Sequence, residues 1–107
     1  MNTKIRSEID RSTLPSVLIE FAGYKGGIEN RSRLTVEEYL LDLRTFFRYM
    51  RAVKQLGLDP AVAELDTISI AEVDLDFVGS IRTEDIYEFL FYTGADRRNG
   101  WSAKARK

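Results

Sequence analysis

The sequence predicts an all-α fold, a small bundle of about four helices in one domain. Three stretches place apolar residues at the 3.6-residue period of a helix face, each preceded by Ser, Thr or Pro and followed by glycine. No two alternating stretches offer themselves as strand partners. A length of 107 residues supports one hydrophobic core rather than two.

The first dozen residues are polar, mixed in charge and without periodicity. Residues 1–13 are therefore expected to form a flexible arm ahead of a domain spanning 14–107. The first helix is expected near 14–25. Pro15 suits a first turn, Ser12 and Thr13 are candidate caps, and Leu14, Val17, Leu18 and Phe21 make the apolar stripe. Gly26-Gly27 is expected to stop it.

The second helix is expected over 35–55. Thr35 and Glu38 have the spacing of a capping box. Val36, Tyr39, Leu40, Leu43, Phe46, Phe47, Met50 and Val53 fall on one face, with Leu43 and Phe46 expected to be buried. Arg44, Arg48 and Arg51 share one flank of that face, and Gly57 closes the helix.

Residues 58–82 are irregular. Asp59-Pro60 opens a turn, and Ala61 to Leu65 suits a short helical turn. ISIAEVDLDFV alternates, but a lone strand among helices lacks a partner. Thr83 is placed to cap a third helix over 83–93, with Ile86, Phe89 and Leu90 toward the core and Gly94 at its end. Ser102 is placed to cap a fourth, SAKARK, cut after one turn. Domains rarely stop there, so a fragment of a longer protein is expected.

Composition narrows the chemistry. There is no cysteine, so no disulfide framework, and a reducing cytosol is the expected compartment. There is no histidine, so the chain alone can build no Ser-His, Cys-His or His-metal constellation. No apolar run approaches a membrane span, and no secretory signal opens the chain. DLDFVGSIRTED, Asp74 to Asp85, overlays loosely on a calcium loop, but Val78 and Asp85 stand where oxygen ligands and a glutamate belong. GYKGG lacks the ending of a phosphate loop. No metal, cofactor or small-molecule ligand is expected.

The net charge of −1 hides segregation. Residues 1–58 carry ten Lys/Arg against seven Asp/Glu, 59–88 carry Arg82 against nine acids, and 89–107 carry five basic residues against Asp96. The acidic middle is expected to face away from any phosphate, which the two basic ends could meet. Arg31 and Arg33 stand just before a helix start, with the hydroxyls of Ser32 and Thr35 beside them.

Ser32-x-x-Thr35-x-x-x-Tyr39-x-x-Asp42-Leu43-x-x-Phe46-Phe47-x-Tyr49 resembles the signature of the N-terminal core-binding domain of tyrosine recombinases, the phage integrase and Xer-like family. LPSVLIEFAGY resembles that family's first helix, IRTEDIYEFLFY its third, and SAKARK the start of the next. The resemblance covers roughly residues 14–107. It implies a SAM-like helical domain forming one half of a clamp on duplex DNA, in a parent that self-associates on DNA and keeps its catalytic residues in a separate C-terminal domain. None of the five tyrosines matches the nucleophile's motif, so this chain is expected to have no catalysis of its own. The expected DNA contacts are Arg31, Ser32, Arg33, Thr35, Ser102, Lys104, Arg106 and Lys107, with Arg44, Arg48 and Arg51 as weaker candidates. The competing expectation is a helical protein-protein interaction module.

Overall fold

The computed structural model describes residues 9–94. Among these residues it is all-helical, with no strand. Helix α1 spans Ser16–Gly23, α2 Arg33–Met50, α3 Leu75–Gly79 and α4 Thr83–Thr93. The last helix expected from sequence, with its cap Ser102, lies outside the described residues.

The core forms around α2. Val36, Leu40, Phe47 and Met50 are buried along it and Ala52 just past its end, against Leu18 of α1, Leu14 just ahead of α1, and Ile68, Ile70, Val73 and Phe77 from the segment that follows. Leu43 and Phe46, expected to be buried, are only partly so. Phe46 lies on the edge of the stripe facing α4, and α4 covers that edge incompletely. Phe46 and Tyr49 meet Phe89 of α4 at ring-centroid distances of 5.0 and 5.3 Å, edge to face. Of the apolar residues expected to bring α4 to the core, only Phe89 is partly buried. Ile86 and Leu90 stay 41% and 39% exposed.

The helix ends differ from expectation in instructive ways. Pro15 is the N-cap residue of α1 and lies outside its first turn, and Ser12 and Thr13 belong to a preceding turn that Asp10 caps. Gly26-Gly27 does not stop the first helix. The chain continues through a wide turn, Tyr24–Ile28, in which the Glu29 amide donates to the Tyr24 carbonyl at 3.0 Å. The stop comes at Asn30, whose φ of 58° is left-handed, a conformation Asn tolerates better than most residues.

Helix α2 starts two residues earlier than expected. Ser32, and not Thr35, is the cap: its Oγ accepts from the Thr35 amide at 3.1 Å. At the far end a second wide turn, Arg51–Gln55, leads to Gly57 at φ 65°. Thr83 is the first residue of α4 and does not cap it. There the Asp85 carboxylate accepts from the Arg82 amide at 2.8 Å.

The irregular stretch is a strap. Asp59 caps its opening turn, accepting from the Ala61 amide at 2.9 Å. Ile68 and Ile70 alternate with exposed Ser69 and insert into the core, but as unpaired extended chain. Asp74 then caps the short α3, accepting from the Phe77 amide at 2.9 Å. The sequence reading missed α3 because five residues are too few to show a period.

The expected arm is not loose throughout. Ile9 is buried, and its amide donates to Glu37 Oε1 at 3.0 Å.

Candidate nucleic-acid interface

The start of α2 is an exposed corner where the expected residues gather. Arg31, Ser32 and Arg33 are exposed, and Thr35 is half-buried. The first turn of a helix leaves amides without intrahelical acceptors, and Ser32 satisfies one of them. The Ser32 hydroxyl donates to Thr35 Oγ1 at 2.9 Å, so the two hydroxyls form a pair at the helix mouth. With α2 beginning at Arg33, that arginine stands in the first turn itself, where the positive end of the helix dipole adds to its own charge.

The corner is braced from α1. The Arg31 amide donates to the Lys25 carbonyl at 2.9 Å, which folds the loop back on the preceding wide turn. Lys25 Nζ lies 5.7 Å from the ring centres of both Phe21 and Tyr39. It therefore joins the basic corner, although the sequence reading passed it over.

Glu29 is the other residue that reading missed. Its Oε1 accepts from Lys25 Nζ at 2.9 Å and from Arg31 Nε at 3.3 Å. The Lys25 hydrogen bond holds the Glu29 carboxyl below the usual range; burial opposes it, and the weaker Arg31 hydrogen bond adds to it. A phosphate arriving here would compete with Glu29 for both cations. The i, i+4 spacing of Lys25 and Glu29 was the available signal, but only on a helix that continued through Gly26-Gly27.

The weaker candidates face elsewhere. Arg51 Nη1 donates to the Ser69 carbonyl at 2.7 Å and lies 3.2 Å from Glu72, while its Nε donates to Gln55 at 2.7 Å. Arg48 Nε donates to the Ile68 carbonyl at 3.2 Å. This flank of α2 holds the strap, and the acidic segment covers it. Ser102, Lys104, Arg106 and Lys107 lie outside the described residues, so nothing is added to their expected role.

Among the described residues, no cluster of His, Cys, Asp and Glu could hold a metal ion. Asp74 and Asp85, the ends of the loose calcium-loop match, are both spent on helix caps. No described helix is long and apolar enough to cross a membrane.

No family model matches the chain, and no solved structure matches it significantly. Among curated proteins, a tyrosine recombinase XerC from Caldanaerobacter subterraneus subsp. tengcongensis is 34% identical over 93 residues, 87% of this chain. The chain spans only 26% of that protein's length. The matched residues of this chain are thus a tyrosine recombinase-related region.

Proposed function

We propose that residues 14–107 are the N-terminal core-binding, SAM-like domain of a tyrosine recombinase, which holds duplex DNA for strand exchange catalysed by a separate C-terminal domain. The observation that carries this is the corner at the start of α2. There the exposed Arg31 and Arg33 stand beside the Ser32–Thr35 hydroxyl pair at the helix N-terminus, a setting that favours an anion. The XerC similarity supports the recombinase context, and there the parent chains would assemble on their DNA site. The acidic strap lies along the arginine flank of α2, away from this corner, so its charge does not cancel the corner's.

A single corner of this kind reads phosphate rather than sequence. Binding by this chain alone is expected in the nonspecific range, Kd on the order of 10⁻⁴–10⁻⁶ M at physiological salt. The test is fluorescence anisotropy of a labelled duplex at several salt concentrations. Exchanging Arg31 and Arg33 for Gln should flatten the slope of log Kd against log salt by up to ~2 units, with the melting temperature nearly unchanged. Salt-independent binding would contradict the proposal and turn attention to apolar protein docking.

A further inference from the structure

The arginine flank of α2 contains an imbalance that the strap does not resolve. Three arginines stand there one turn apart, and the strap serves them unequally. Arg51 has the Ser69 carbonyl, Glu72 and Gln55. Arg48 has the Ile68 carbonyl at its Nε. Arg44 Nε is buried with no hydrogen-bond partner. Among the described residues, no carboxylate lies within ion-pair distance of Arg44 or Arg48. A buried donor without an acceptor is unfavourable, and so is a second like charge beside it.

The two guanidinium groups line one cleft of about 200 Å³, between α2, the end of the N-terminal turn and the strap. Burial, and then repulsion from Arg44, hold the Arg48 guanidinium below its usual pKa, while Asp66 only partly offsets them. Asp66 lines the cleft as well, so the cleft's formal charge is +1. Of the hydroxyls there, Thr13 and Thr67 donate to the Asp10 and Glu64 carbonyls. Ser69 Oγ instead accepts from the Ala71 amide, which leaves its own proton to give.

We propose that this cleft is an anion site that takes a phosphate group, gripped by Arg44 and Arg48 with the Ser69 hydroxyl as a third donor. Arginine matches phosphate oxygens through paired N–H donors, and among the described residues no hydrogen bond or ion pair engages the Nη groups of Arg44 or Arg48. The volume is below that of pockets for drug-sized ligands, which suits a single oxyanion. The site is separate from the corner at the start of α2, since Arg33 and Arg44 are ~16 Å apart along the helix axis. It does not depend on the proposed function. The phosphate could be free or could belong to nucleic acid.

Heteronuclear NMR of the full ¹⁵N-labelled chain tests this, with inorganic phosphate titrated at constant ionic strength. Saturable shifts are expected at the Arg44 Nε–H and the Ser69 amide. Arg44→Gln should weaken that response at least tenfold without lowering the melting temperature, because Nε has no hydrogen bond to lose and the repulsion on Arg48 is relieved. Arg44→Lys should retain part of it. A parallel titration with a short duplex separates the sources: shifts at the same residues assign a backbone phosphate, and shifts with inorganic phosphate alone assign a free one. An Arg44→Gln chain that responds like the wild type would overturn the proposal. So would phosphate shifts confined to residues 31–35, which would leave the proposed function standing.

Discussion

Arg11 reaches across the start of the chain to Glu37, with Nη2 2.9 Å from Oε2 of a carboxylate that is only 1% exposed. The other oxygen of Glu37 accepts from the Ile9 amide at 3.0 Å. This one buried acid therefore fastens residues 9–13 to the middle of the fold. Arg11→Ala should cost about 1–3 kcal/mol, at the lower end because the guanidinium is itself partly solvated. Glu37→Gln should cost less than Glu37→Ala, since Gln still accepts from Ile9. Urea denaturation of the three variants measures this. Losses all under ~0.5 kcal/mol would show that the segment is not anchored by Glu37.

Neighbouring phenylalanines on α2 should differ in stability cost. Phe47 is 5% exposed, whereas Phe46 is only partly buried and leans on Phe47 and Phe89 at 5.3 and 5.0 Å. Phe47→Ala should cost ~3–5 kcal/mol and Phe46→Ala on the order of 2 kcal/mol. Equal costs would mean that α4 covers Phe46 as completely as the core covers Phe47.

Asp85 joins α4 to the end of α2, accepting from the Arg82 amide at 2.8 Å and from Lys54 Nζ at 2.9 Å. These two hydrogen bonds, the Arg82 amide first, lower its pKa. A carboxylate whose folded pKa is depressed stabilises the fold above its unfolded value of about 3.9 and loses that contribution as pH falls through the folded value. Asp85→Asn should therefore be less stable than wild type near neutral pH, and the gap should close below about pH 4. Urea midpoints between about pH 2 and 7 give the curve, and a gap independent of pH would remove the ionic explanation.

Glu29 sits among the cations that the proposed interface would use. Glu29→Gln removes the competing charge from Lys25 and Arg31 while keeping an acceptor. Duplex affinity should rise by roughly two- to fivefold at low salt, the scale of an exposed ion pair, and the gain should shrink as salt is raised. Unchanged affinity would place the phosphate contact away from this corner.

The residues that spell out the helices did so locally. The stripe from Val36 to Val53, the acidic first turn of α4 and the left-handed Gly57 and Gly94 are readable because helix periodicity and caps involve residues three to five apart. The gathering of Arg31, Ser32 and Arg33 at a helix start was readable for the same reason. Other features rested on contacts between distant positions. Glu37 is buried because Ile9 and Arg11, nearly thirty residues upstream, meet it, and nothing in its own neighbourhood distinguishes it from exposed Glu38. The strap lies on the arginine flank because Ile68 and Ile70 need a core, and the Ile68 and Ser69 carbonyls come to meet Arg48 and Arg51 as a consequence. Sequence by itself determined where the three longer helices lie and where basic side chains cluster. Tertiary structure decided which of those charges are taken up by strap or core and which remain exposed, because burial is a property of what packs on a helix and not of the helix alone.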